Sequence, residues 1–278
     1  MKMRFIMLLV STVLLMTVVA VKKAEAVTIG VGLMNYYGWY NPSYISSYED
    51  QQIPPFLTSG PVMLFSFSER FSISAYVLLA LADDKIEYNQ SINGSNGYGV
   101  VRTRGRYDGG EMSLSFAYLL NHNLRIFLGL KAGGIDFVME RSTVNSGSYV
   151  LSQKASTHER DISQGILGIG FGASTPISMT ERMRLTPTLS LLCFTGETVI
   201  DKLKETTPGV IEFEEIRGET TYVGINAALE VSYYFESIST SISIGGRYQY
   251  MKIISNGIDI KLEDDYNYGI IISAMYLF

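Results

Sequence analysis

Apolar and polar residues alternate along most of this chain with a period of two, the pattern of strands that keep one face in an apolar surrounding. In the closing stretch "YNYGIIISAMYLF", one face carries Tyr266, Tyr268, Ile270, Ile272, Ala274, Tyr276 and Phe278. The other carries Asn267, Gly269, Ile271, Ser273, Met275 and Leu277. The same alternation puts Phe71, Ile73, Ala75, Val77, Leu79 and Leu81 on one side of "FSISAYVLLALA", with Ser72, Ser74 and Ala80 behind them. "EMSLSFAYLL" sets Met112, Leu114, Phe116 and Tyr118 against Glu111, Ser113, Ser115 and Ala117. "LRIFLGLKA" sets Ile126, Leu128 and Leu130 against Arg125, Gly129 and Lys131. Further strands follow at Thr221 to Phe235, with Glu230 on the polar face, and at Ile238 to Tyr250, with Arg247 on the polar face.

The connections alternate in length. Tight turns are expected at Ser68 to Arg70, Asn121 to Asn123, Ser178 to Arg182 and Phe235 to Ser237. Long polar links are expected at Asn41 to Ser59, Tyr88 to Arg104, Arg141 to Arg160, Asp201 to Gly218 and Asn256 to Asp265. Short turns on one side and long loops on the other describe a transmembrane β-barrel with periplasmic turns and extracellular loops. About ten antiparallel strands are expected, with eight or twelve as the alternatives if one weak strand is misread. Aromatic residues fall at strand ends: Phe71, Phe116, Tyr118, Phe171, Tyr233, Phe235, Tyr276 and Phe278 near the short turns, and Tyr37, Trp39, Tyr248, Tyr250, Tyr266 and Tyr268 near the long loops. Rings with one wet edge collect at the two membrane interfaces in this way. In hydrocarbon every backbone polar group must be paired within the protein, so the first strand must pair with the last. Pro187 has no N–H to give a neighbour, and a bulge or a position near the rim is expected there.

The N-terminus sets the compartment. Lys2 and Arg4 precede an apolar run from Phe5 to Val21, and Ala24-Glu25-Ala26 fits a peptidase site. Residues 1–26 are therefore expected to be a cleaved signal peptide, with Ala24 and Ala26 at the cut, and residues 27–278 the barrel. Removing the segment takes away Lys2, Arg4, Lys22, Lys23 and Glu25, a net +3, so the formal charge of -5 becomes -8. That balance argues against a nucleic-acid partner, which needs a basic footprint. Apolar residues make up 47% of the chain, yet no stretch of the mature chain approaches the ~20 residues of a membrane helix. Cys193 is the single cysteine and reads as a small apolar strand residue.

The terminal segment "GIIISAMYLF" resembles the C-terminal assembly signal of bacterial outer-membrane β-barrel proteins, matched by Ile270, Ile272, Ala274, Tyr276 and the final Phe278. That resemblance implies an outer-membrane location among lipid and recognition by the barrel assembly machinery.

Little in the sequence points to chemistry. A ten-stranded barrel invites comparison with the omptin proteases, which carry acidic residues and a His at the outer rim. Asp83-Asp84 ends a strand on the loop side, but the family's nearby Asp and His have no match as a D-x-H here. The two histidines, His122 and His158, have no neighbouring Ser of the kind barrel phospholipases use. No cofactor or metal is expected, and "GIGFG" (Gly168 to Gly172) reads as a strand whose inward glycines make room. The informative polar residues face inward: Glu111, Arg125, Lys131, Arg184, Glu230 and Arg247. Glu111 and Lys131 fall diagonally across a hairpin, within ion-pair reach. Two roles follow: a network that plugs the lumen, or the lining of a narrow channel for small solutes or ions. The first leaves a non-enzymatic surface barrel acting through its loops on an extracellular ligand or host surface, in adhesion, recognition or envelope integrity.

Overall fold

The computed structural model describes residues 28–41, 55–81, 85–152, 160–257 and 264–278. The cleavage pair Ala24 and Ala26, the acidic pair Asp83-Asp84 and His158 lie outside the described residues. Among the described residues there are thirteen strands: β1 (Thr28–Asn41), β2 (Phe56–Ser66), β3 (Phe71–Ala80), β4 (Lys85–Gly94), β5 (Gly97–Asn121), β6 (Leu124–Ser146), β7 (Val150–Leu151), β8 (Arg160–Ser174), β9 (Ile177–Ser178), β10 (Met183–Thr207), β11 (Val210–Phe235), β12 (Thr240–Asn256) and β13 (Asp265–Leu277). Ten of them close a ring in the order β1-β2-β3-β5-β6-β8-β10-β11-β12-β13 and back to β1. β4, β7 and β9 are side pieces, on β5, β11 and β10 respectively.

Closure runs through the chain's last strand. β13 pairs antiparallel with β1 from Gly30↔Leu277 to Asn41↔Tyr266, and the Phe278 N–H donates to the Ile29 carbonyl. No edge is left in the hydrocarbon, as the apolar solvent requires. On the outward face, Tyr233 with Phe235 and Tyr276 with Phe278 meet edge-on at the periplasmic rim, both at 4.7 Å between ring centroids. At the other rim, Trp39 stacks on Tyr268 at 5.4 Å. Between these girdles the face is aliphatic and exposed, with Leu128, Leu167, Leu191, Leu229 and Ile244 standing out from the wall. Cys193 also lies exposed on β10. Near the periplasmic rim, Ile29, Met63 and Phe65 form a buried apolar cluster with Val31 and Ile73.

The short turns are held by local side-chain acceptors. Ser68 Oγ accepts from the N–H groups of Arg70 and Phe71, Asn121 Oδ1 from Asn123, and Thr180 Oγ1 from Arg182 and Met183. These are the turn residues that mimic backbone acceptors.

Pro187 sits near the periplasmic rim, where its neighbour breaks off. The β8 pairing ends at Thr188↔Ser174, and the Pro187 carbonyl accepts from the Thr175 N–H. Its nitrogen faces that same gap, so no ladder bond is lost. Pro61 on β2 was not flagged by the pattern and is the more exposed departure: the β2–β3 pairing has no partner for either Gly60 or Pro61.

Two long polar links turn out to be strand. Tyr88 to Arg104 is a hairpin, β4 against β5, that turns at Gly94↔Gly97. Asp201 to Gly218 continues the β10–β11 ladder to Thr207↔Val210. Alternating charge along these segments reads as loop, but they stand in water, where a strand face is free to be charged. Arg141 to Arg160 is a hybrid. β6 runs on to Ser146 and the chain turns at Gly147, whose φ of +96° suits glycine. β7 then pairs in parallel with β11 rather than folding back on β6.

Candidate functional site: the lumen and the extracellular cap

Inside the ring, the periplasmic half is lined by small residues, among them Ser74, Ser115, Gly170, Ser243 and Ser273, with Ser243 and Ser273 sharing a 2.6 Å hydrogen bond across β12 and β13. At Gly168 the space is already taken: a Cβ there would lie 2.0 Å from the Cys193 carbonyl and 2.5 Å from the Phe194 ring.

Above this half a charged cluster crosses the lumen. Arg247 of β12 donates two hydrogen bonds to the Glu111 carboxylate of β5, at 2.5 and 3.2 Å. Lys131 of β6 lies 2.8 Å from the same carboxylate, and the Tyr76 hydroxyl donates to it at 2.7 Å. Gln249 Oε1 accepts from both Lys131 and Arg247, and Arg247 Nε donates to Asn226. The guanidinium lies 5.7 Å from the centre of the Tyr36 ring, whose hydroxyl donates to Asn267. β5 and β12 are five strands apart in a ring of ten, so they face each other across the full diameter. A bidentate bond between their side chains therefore spans the lumen at that level. One carboxylate against two cations leaves the cluster formally +1. All three charges are paired and mostly buried, with side-chain exposures of 7–18%.

A second layer lies toward the extracellular side. The Tyr40 hydroxyl is 2.8 Å from Gln164 Oε1 and 3.1 Å from Asp265 Oδ2. Gln164 Nε2 donates to Tyr222 at 2.5 Å and to Asp265 at 3.3 Å. Between the layers is a cavity of about 60 Å³, bordered by Tyr36, Tyr40, Thr58, Glu111, Lys131 and Gln249. It has room for a few ordered waters, and the Thr58 hydroxyl, buried without a partner among the described residues, would hold one of them.

Of the six inward charges read from the sequence, Glu111, Lys131 and Arg247 meet in the cluster. Arg125, Arg184 and Glu230 lie closer to the periplasmic rim and make no ion pair among the described residues. The sequence reading missed Tyr36, Tyr76, Asn226, Gln249 and the whole upper layer. Parity would have found the tyrosines, since Tyr76 shares the face of Ser72 and Ser74.

Beyond the membrane, three segments build a cap. Val101, Tyr149, Leu203 and Ile211 form a buried cluster, with Ile92, Val144, Leu151 and Phe213 packed against it. Tyr149 donates to the Gly97 carbonyl at 2.7 Å, Asn96 to Ser148 at 3.0 Å, and Gln90 to Asp201 at 2.8 Å. Glu205 ties two turns together: its carboxylate accepts from the Ser95 hydroxyl, the Ser95 N–H and the Gly209 N–H. These bonds, the hydroxyl's foremost, hold the Glu205 carboxyl below its ordinary pKa. The cap's outer surface carries exposed ion pairs such as Lys204–Glu214 and Arg217–Glu215. His122 lies in the turn after β5, at the opposite end of the barrel from the cap.

No family model matches the chain, and no curated protein matches it. Among solved structures, it is similar to the outer membrane protease OmpT from Escherichia coli, at a TM-score of 0.51 and 12% identity, covering 92% of this chain and 98% of that one. It is also similar to the Ralstonia pickettii toluene transporter TbuX, at a TM-score of 0.33 and 8% identity over 91% and 90% of the two chains. The β domain of the Bordetella autotransporter BrkA gives a TM-score of 0.34 and 11% identity, over 91% of this chain and 100% of that one. The likeness to OmpT is one of fold, and with the closed ring and the two girdles it gives a ten-stranded antiparallel barrel of the outer-membrane type.

Proposed function

We propose that this chain is a non-enzymatic outer-membrane barrel that works through its extracellular cap, with the lumen serving as the scaffold's braced interior. The Arg247–Glu111 bridge across the full diameter carries the reading, because it lies in the route a solute would take. The cap supplies the working surface. Its strands rise from a rigid wall and share an apolar core of their own, the setting in which loops carry binding function. Adhesion, recognition of a ligand or host surface, and envelope integrity are the roles such a surface serves. Residues 1–26 as a cleaved signal, and assembly through Ile270, Ile272, Ala274, Tyr276 and Phe278, belong to the same proposal.

The test shortens the β10–β11 hairpin by removing residues 201–215 and closing it with a two-residue turn. Bacteria displaying the shortened chain are expected to lose adhesion to a cultured cell layer, or to become sensitive to detergent. The barrel itself should keep its folded, heat-modifiable mobility on gels. If adhesion and detergent resistance both match the intact chain, the cap is not the working surface.

A second reading, a narrow channel, rests on the cavity beside the cluster and the small-residue lining below it. Rotation of Arg247 away from Glu111 would join the two spaces. Arg125, Lys131, Arg184 and Arg247 against Glu111 and Glu230 leave that half of the lumen at +2, so such a channel is expected to prefer anions.

A further inference from the structure

We propose that the outward face of β5 and β6, just beyond the lipid band, binds the phosphate of an anionic lipid headgroup in the outer leaflet. On β5 the outward residues run from Tyr118 through Phe116, Leu114 and Met112 to Asp108, Arg106, Arg104 and Arg102. A change from apolar to charged along one strand face marks the end of the hydrocarbon, where charge on the lipid side is costly. Asp108 stands ten residues from Tyr118 of the periplasmic girdle, and ~9–11 residues carry a tilted strand across. On β6 the same change falls at Asp136, directly paired with Asp108. Arg106, Arg104 and Arg102 therefore stand at headgroup level and above. Val101 and Thr103, on the opposite face of β5, are fully buried in the cap, so the arginines point away from the wall.

The barrel alone gives no reason for this arrangement. Arg104 pairs directly with Arg141 of β6, and like charges set opposite each other on a sheet repel. Lys85 of β4 holds the register position opposite Arg106. Arg104 has one acid beside it, Glu87 at 2.6 Å, in an exposed pair. Arg102, Arg106 and Arg141 make no ion pair among the described residues, and Glu140, bulged beside Arg141, joins none of them. In a chain of formal charge -5, four arginines on one face are a local excess. Alternate residues of a strand lie ~7 Å apart and opposed ones ~5 Å. The guanidinium forks of Arg104, Arg106 and Arg141 therefore reach the oxygens of one phosphate, which they match in geometry as well as charge. An anion between Arg104 and Arg141 also replaces their repulsion with attraction. The patch begins where the hydrocarbon stops and faces along the membrane, so the phosphate it meets is that of the lipid itself. This holds whatever the cap binds.

Native mass spectrometry of the refolded, signal-free protein tests this, with phosphatidic acid as the anionic lipid and phosphatidylcholine, which carries no net charge, as the control. The intact chain is expected to keep a phosphatidic acid adduct after its detergent is stripped, and to keep no phosphatidylcholine. Arg104→Gln together with Arg141→Gln should weaken that adduct by about thirtyfold in a lipid titration, the loss of two arginine contacts to a lipid surface. Lys202→Gln with Lys204→Gln removes the same charge from the exposed side of the cap and should leave the adduct unchanged. Inorganic phosphate in excess should not displace the lipid. Absence of the adduct, equal retention of the two lipids, equal loss in the two paired variants, or displacement by inorganic phosphate would each overturn the proposal. Arg104 and Arg141 are exposed, so their variant should keep the heat-modifiable fold. If it does not fold, Arg106→Gln alone decides, with an expected loss of about fivefold.

Discussion

Glu111 is the residue on which the lumen turns. It pairs with Lys131 and Arg247 at once, so its removal leaves two cations facing each other in a mostly buried space. Glu111→Ala is expected to destabilise the barrel by about 3–5 kcal/mol, the usual loss when one partner of a buried ion pair is removed. The urea midpoint of the refolded protein measures this. Adding Lys131→Met should recover part of the loss, and no recovery would mean that packing, rather than charge, is what Glu111 supplies. Glu205 offers a second test outside the membrane. Its folded-state pKa is depressed, so its bonds add stability above the ordinary carboxyl value, about 4.3, and lose it as pH falls through the lower folded value. The protection of the Ser95 and Gly209 amides, relative to the intrinsic exchange rate at each pH, should therefore fall on acidification in the intact chain. In Glu205→Gln that protection should be low already and change little with pH.

Elements that cross the lipid were legible because lipid imposes a strict two-residue code. Turn positions, the outward faces and the ten-strand count all follow from it. Where strands leave the membrane the code weakens, and the β4–β5 and β10–β11 extensions read as loops until their pairing is seen. Leu203, Ile211 and Phe213 alternate with charged residues there, a signal obscured by the ion pairs on the wet face. Pro208-Gly209 marks the turn, with Gly209 at a φ of +81°. Gly209→Val should cost about 1–2 kcal/mol from the left-handed backbone alone. Its side chain would also meet Asn96 Nδ2, 2.6 Å from the added Cβ. Limited proteolysis of the cap should show faster cutting near residue 209, with the barrel intact; unchanged cutting would mean the tip is not ordered by this turn.

At the scale of the whole molecule, the ring joins residues that no local motif connects. Arg247 lies 136 positions from Glu111 along the chain and opposite it in space. Their meeting depends on strand number and stagger, so the pattern could name them as inward charges without pairing them. Closure is equally global: truncation before Ile270 would leave most of β1 without its partner and is expected to abolish the heat-modifiable form altogether. The most direct measurement of the central claim, a lumen shut by the bridge from β5 to β12, is single-channel conductance of the refolded, signal-free protein in a planar bilayer. The intact chain is expected to insert silently, and Glu111→Ala together with Arg247→Ala to open discrete steps. Steps from the intact chain, altered in selectivity by Arg247→Ala, would contradict the closed lumen and make the channel the protein's function.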